Sequence, residues 1–283
     1  MIEKIKSFII NVKLQTILEG EEKTKEYVRI IKELSSSKNI MPVGKNEGIQ
    51  MYSVRGIKDL KIPEFIYGHI AKGTYIQDKE INVIENNKII KDVNKPRILK
   101  PTVIDFLFIP KKHRLVLEKK NGGPLEKEVE NYLRTFLKNT IRKEDVLEIV
   151  LEKDTNVIHQ IYEAKKVFKL NYEISYTNDD AVGHLGEDLE DIIKESKIGK
   201  LKLSAEADNK TVGLKIDKSI LLAGGLELAE SNGTINSAQI LPKEGQKIIN
   251  ISNKEKPKII PIEIDLDLGG KFRLWYSEII KHL

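Results

Sequence analysis

TVIDFLFIPKKHRLVLEKK, Thr102 to Lys120, is the stretch whose reading decides the fold. Asp105–Ile109 and Leu115–Lys119 alternate with the two-residue period of a half-buried strand. Pro110-Lys111-Lys112-His113-Arg114 interrupts them with a proline and four basic or potentially basic groups, which predicts a hairpin with a basic tip. The same residues support two chemistries. Adjacent cations at a turn can contact successive phosphates. Asp105 with Glu118-Lys119-Lys120 is also spaced like the D…E-x-K set of restriction-type nucleases, in which two carboxylates hold a divalent metal and a lysine orients water. A solvated hairpin tip is the bland third reading, since charge runs are commonly just soluble surface.

Upstream, Ile5 to Leu14 alternates as a strand, and Glu21 to Ser37 forms a short amphipathic helix with Tyr27, Ile30, Ile31 and Leu34 on one face. IQMYSV, EFIYGHIAKGTYI and EINVIE read as strands, and Asn94 to Pro101 as a proline-bracketed connection into the hairpin. The D…E-x-K fold expects an acidic helix there, so these strands count against a nuclease. Downstream of Asn121-Gly122-Gly123-Pro124 the period changes. Leu125, Val129, Tyr132, Leu133, Phe136, Leu137 and Ile141 recur at three and four residues, which predicts a helix opened by Pro124 and an acidic first turn. Strands and helices then alternate, and Ser219 to Glu230 reads as a helix stopped by Asn232-Gly233. The expected class is α+β: a β-rich N-terminal domain over 1–122, then an α/β domain over 123–283 with a mixed sheet and helices on one face.

The chain has 283 residues, of which 40% are hydrophobic and 32% charged, so it can bury a real core. Cysteine is absent, which excludes disulfides, thiolate catalysis and Cys-ligated zinc together. A reducing cytoplasm is the expected compartment. The opening MIEKIKSFIINVKLQTI lacks a cleavage-site pattern, and no apolar run reaches the roughly 18–20 residues of a spanning helix. No membrane insertion is expected. Residues 1–150 carry 29 Lys and Arg against 21 Asp and Glu, a balance of +8, while the remainder carries −3. That asymmetry points to a polyanionic partner engaged by the front half. The expected contacts are Lys111, Lys112, His113 and Arg114 at the tip, with Lys95, Arg97, Lys100, Lys119 and Lys120 extending the stripe.

Other chemistries lack support. The five histidines show no H-x-x-H or H-E-x-x-H spacing, and His159 reads as a packed core residue. Neither a phosphate-binding G-x-x-x-x-G-K-[ST] loop nor a G-x-G-x-x-G turn occurs, and there is no G-x-S-x-G elbow. Leu222-Ala223-Gly224-Gly225 reads as close packing. Asp265-Leu266-Asp267-Leu268-Gly269 reads as a strand end, since it lacks the further oxygen ligands of a calcium loop. Tyr172 and Tyr176 lie two positions either side of Ile174 on a strand face that also carries Phe168 and Leu170, so burial is expected for them instead of base stacking. No cofactor is expected, with Mg²⁺ entering only under the nuclease alternative through Asp105, Glu118 and Lys120.

The run from Phe106 to Glu118 fits F-x-F-x-P-x-x-H-R-L-x-x-E and resembles the central motif of an uncharacterised bacterial domain-of-unknown-function family. Glu173 to Asp180 and Leu228 to Gly233 resemble two further stretches of that family, with Thr177 standing where a proline is expected. The likeness covers about residues 1–260 and brings no established chemistry. The order of elements also resembles that of the phage lambda exclusion protein RexA and of the DNA-binding subunit of the Kiwa antiphage system. That resemblance implies a homodimer that binds double-stranded DNA without sequence preference, as a sensor in antiphage defence beside a protein effector. A scaffold whose basic hairpin meets an acidic protein partner is the remaining alternative.

Overall fold

The computed structural model describes residues 1–283 except 36–38, 57–62, 77–78, 86–87, 95, 176–183 and 210. In chain order its elements are β1 (Ile2–Gln15), α1 (Gly20–Glu33), β2 (Ile40–Val43), β3 (Glu47–Gly56), β4 (Ile66–Ile76), β5 (Lys79–Glu85), β6 (Lys88–Asn94), β7 (Arg97–Ile109), β8 (Arg114–Glu118) and α2 (Glu126–Leu137). They continue as β9 (Val146–Leu151), α3 (Asn156–Glu163), β10 (Lys166–Ser175), α4 (His184–Glu195), β11 (Lys200–Glu206), α5 (Gly225–Asn232), β12 (Gly233–Leu241), β13 (Ile249–Ile251), β14 (Ile259–Asp265) and α6 (Lys271–Ile279). The class is α+β. No described helix is long and apolar enough to cross a membrane.

The chain divides into two units, Met1–Ile149 with Ile260–Leu283, and Val150–Ile259. The Gly122–Pro124 break lies inside the first unit, as the turn between β8 and α2. Its Gly123 N–H bonds back to the Lys120 carbonyl at 3.1 Å. Three residues into α2's second turn, the Tyr132 hydroxyl is tied to Met51 on β3. A Gly-Pro break marks a turn as readily as a linker, and here the chain doubles back onto the sheet it has just left.

The first unit is built on a sheet in the order β14-β1-β8-β7-β4-β3-β2, with β9 also paired to β1; β5 and β6 form a separate antiparallel pair. The two-residue period sends alternate side chains to opposite faces. Phe8, Phe106, Phe108 and Met51 are fully buried on one face, where α1 and α2 contribute Tyr27, Ile31, Tyr132 and Leu133. On the other face, Ile5, Ile9, Leu107, Ile109 and Val116 pack with Trp275 and Ile279 of α6. The residues read as a connection, Asn94 to Pro101, largely belong to β7, which begins at Arg97. Lys72 pairs with Thr102 and Thr74 with Leu99, so the ladder skips Lys100 and Pro101. The irregularity absorbs a proline that has no N–H to give a ladder. Gly73 lies opposite it, where a Cβ would meet the Leu99 carbonyl oxygen at 2.5 Å.

The second unit holds a four-stranded sheet, β11-β10-β12-β13. All three of its pairings are antiparallel, so the mixed sheet expected from the alternation of strands and helices is replaced by an antiparallel one. Antiparallel neighbours need no crossover of fixed hand, and a helix can join them equally well. Helices cover one face: Ile158, Ile161, Leu189, Ile193 and Leu226 pack with Leu170, Tyr172 and Ile174. Tyr172 is buried as expected, Tyr176 lies outside the described residues, and His159 is exposed on α3 instead of packed.

Candidate functional site

Sterics shape the hairpin tip. Pro110 to Lys112 form a single 3-10 turn after β7, and His113 follows in the left-handed region at φ 46°, ψ 33°. Histidine tolerates that region better than a β-branched residue does. The His113 N–H closes the turn on the Pro110 carbonyl at 3.2 Å, and its own carbonyl accepts from Val12 of β1 at 2.9 Å. Its ring lies 6.2 Å from that of Tyr27 on α1. Arg114 is buried and donates to the Lys112 carbonyl at 3.1 Å. The tip therefore does not present four basic groups in a row. His113 and Arg114 form a buried support, and Lys111 and Lys112 are exposed on it.

The expected stripe is dispersed in the same way. Lys95 lies outside the described residues, and Arg97 and Lys100 are exposed at the start of β7. Lys119 pairs with Glu126 at 2.5 Å and Lys120 with Glu118 at 2.9 Å. Both follow β8, whose five residues separate them from the tip by roughly 17 Å.

Asp105, Glu118 and Lys120, by contrast, are brought together. Pairing aligns Tyr52 with His69, His69 with Asp105, and Ser7 with Glu118, while Phe106 opposite Leu117 makes Asp105 and Glu118 neighbours. A polar row thus crosses β3, β4, β7, β8 and β1 on the face that α6 covers. His69 Nδ1 lies 2.7 Å from Asp105 Oδ1, and the Asp105 N–H donates to Glu118 Oε2 at 3.2 Å. From α6, Lys271 Nζ reaches Glu3 at 2.7 Å, Asp105 at 2.8 Å and Glu118 at 3.9 Å. Trp275 Nε1 donates to the buried Ser7 hydroxyl at 3.1 Å.

Electrostatics follow from this arrangement. Burial raises the Asp105 carboxyl, but the hydrogen bonds and charges of Lys271 and His69 outweigh it and hold the group below its ordinary value. Burial likewise opposes the Lys271 ammonium, and Asp105, Glu3 and Glu118 together push it up. Burial and the Asp105 charge raise the Tyr52 hydroxyl. The Asp105 carboxylate and the Lys271 ammonium thus each favour the charged form of the other. Among the described residues, no three His, Cys, Asp or Glu side chains are arranged to hold a metal ion. The D…E-x-K carboxylates meet Lys271 where a nuclease would direct free oxygen ligands.

Sequence reasoning missed Glu3, His69 and Lys271, which are joined to Asp105 and Glu118 by register and by the return of α6. It also missed a second basic group at the end of the sheet that carries the tip. β1 runs on past Val12 to Gln15, the hydroxyl oxygen of the next residue, Thr16, accepts from Arg142 at 3.0 Å, and Arg29 of α1 donates to the Thr140 carbonyl at 2.7 Å. Lys138 and Lys143, in that same loop after α2, are exposed and make no ion pair or hydrogen bond among the described residues. Asp265 ends β14 and caps the 3-10 turn that holds Asp267, accepting from the Asp267 N–H at 3.1 Å.

An α+β unit with a charged row beneath its last helix and exposed lysines at one end of its sheet defines the class structurally. The chain belongs to the family described as Domain of unknown function (DUF4747), whose family model matches residues 3–280. No curated protein matches the chain.

Proposed function

We propose that the protein binds nucleic acid without reading its sequence, through Lys111 and Lys112. The observation that carries this reading is their presentation: two exposed lysines on a turn fixed by the buried His113 and Arg114. Pre-set ammonium groups of this kind position a phosphate backbone and carry no base information. The first unit supplies a matching field, with 32 Lys and Arg against 25 Asp and Glu, while the second holds 16 against 18. Duplex DNA as the ligand, a cytoplasmic homodimer, and a role beside an effector in antiphage defence follow from the likeness in layout to RexA and the Kiwa subunit.

The test is anisotropy of labelled duplex DNA as a function of salt. Each lost phosphate contact removes about 0.9 from the slope of log affinity against log salt. Lys111→Glu with Lys112→Glu should therefore flatten the slope by about 2 and weaken all sequences alike. Unchanged binding by the double variant would rule out the tip. The convergence of Asp105, Glu118 and Lys120 favours a second reading, a Mg²⁺-dependent nuclease. It requires Lys271 to release the carboxylates, and predicts DNA cleavage abolished by Asp105→Ala in a folded protein.

A further inference from the structure

The loop that follows α2 lines an open cavity of about 570 Å³ between the helix's last turn and β9. Its volume falls within the range of small-molecule sites. Four cationic side chains line it, Arg134, Lys138, Arg142 and Lys143, against the one carboxylate of Asp145. Their partners divide them into two kinds. Arg134 is held by Glu130 at 2.7 Å and by the Ile149 carbonyl, and Arg142 by Asp145 at 3.3 Å and by Thr16. These guanidiniums are fixed wall. Lys138 and Lys143 are exposed and have no partner among the described residues.

The helix end does not supply this attraction. The C-terminus of α2 carries partial negative charge, and the Leu137 carbonyl is already met by the Thr140 and Ile141 N–H groups at 2.9 and 3.2 Å. An anion must be drawn in by the side chains. Apart from Asn139, the rest of the lining is aliphatic, Ile141, Val146, Leu147 and Ile149, and Val146 is 54% exposed. Such a wall has use for a flat apolar group, and the two free ammoniums for more than one negative charge.

We propose that this cavity binds a nucleoside phosphate, with the phosphate at Lys138 and Lys143 and the base against the aliphatic wall. The chemistry is the same for a free nucleotide and for the phosphorylated end of a strand. The site does not depend on DNA binding by the hairpin tip.

Binding of mant-labelled ADP to the full chain, followed by fluorescence near physiological salt, tests it, because charges beyond about 8 Å are then screened. The expected result is saturable binding that Lys138→Glu with Lys143→Glu weakens at least tenfold and that Lys111→Glu with Lys112→Glu leaves unchanged. Unlabelled ADP should compete, and adenosine and inorganic phosphate should compete far less well. Competition by a 5′-phosphorylated duplex better than by ADP supports the same site with a strand end as its source. Absence of binding, equal binding by the Lys138/Lys143 variant, or equal competition by adenosine or phosphate alone overturns the proposal. Loss of DNA binding with ADP binding retained, in the Lys111/Lys112 variant, separates this site from the tip.

Discussion

Lys271 meets three carboxylates at once, and removing it shows what the polar row contributes. Its side chain is 23% exposed, Asp105 15% and Glu118 6%, so the carboxylates it leaves behind are poorly solvated. Leaving a buried charge without its partner costs about 3 kcal/mol, and Lys271→Met should lower stability by roughly that amount at neutral pH. The folded Asp105 carboxyl sits below its ordinary value of 3.8, so its contribution is present above that value and is lost as pH falls through the depressed one. Lys271 is raised above 10.5, so its contribution is full below 10.5 and is lost only as pH rises past the raised value. In the variant only His69 still opposes the effect of burial on Asp105, so its carboxyl protonates more readily there than in the wild type. The gap between wild type and Lys271→Met should therefore shrink as pH drops from 7 to 3. Urea unfolding across that range checks it, and a gap that stays constant would remove the ion pairs as its cause.

Among the elements, α2 shows how far periodicity reaches. Val129, Tyr132, Leu133 and Leu137 are all buried, as their spacing implies, and Glu128 accepts from the Leu125 N–H at 2.8 Å. Leu125 has no oxygen to return that bond, so only half of a capping box forms. Periodicity cannot show what Tyr132 does once buried. Its hydroxyl accepts from the Met51 N–H at 3.1 Å and donates toward the carbonyls of Leu34 and Asn39 at 3.1 and 3.0 Å. One hydroxyl thus ties α2 to β3 and to the end of α1. Burial pushes it up to about 12 against the opposing Met51 bond. Tyr132→Phe leaves those groups unsatisfied and should cost about 2 kcal/mol. The hydroxyl's contribution is complete below pH 10 and is lost as pH rises through about 12, so the deficit should persist unchanged from pH 6 to 9. A deficit below about 0.5 kcal/mol would mean that water satisfies these groups. The hairpin shows the same limit in another form: its strands were legible from alternation, but the burial of His113 and Arg114 was not. A left-handed histidine over Tyr27 depends on a packing partner more than eighty residues away in sequence.

At the scale of the molecule, the sequence shows where the chain turns but not where it returns. β14 and α6 close the first unit by coming back to a sheet that begins at Ile2, and nothing local to residues 260–283 announces this. The charged row shares that dependence, because Lys271 and Glu3 lie at opposite ends of the chain. The second unit is self-contained by contrast. Its entry and exit segments pair through Lys153 and Pro257, with Asp154 N–H to the Lys256 carbonyl and Lys258 N–H to the Glu152 carbonyl, both at 2.9 Å. Above that closure, α3, α4 and α5 bury Ile158, Leu189 and Leu226 against the unit's own strands. A fragment of residues 150–259 should therefore fold by itself, and its length is ample for an independent core. A fragment of residues 1–122, cut at the Gly-Pro break, lacks Tyr132, Trp275 and Lys271. It would expose Ile5, Ile9, Leu107 and Val116 and strand Asp105 and Glu118 without their cation. Thermal unfolding of both by circular dichroism decides the matter. The expected outcome is a cooperative transition for 150–259 and none for 1–122; a cooperative 1–122 would mean that the front half holds a complete core and that α2, β14 and α6 are accessories to it.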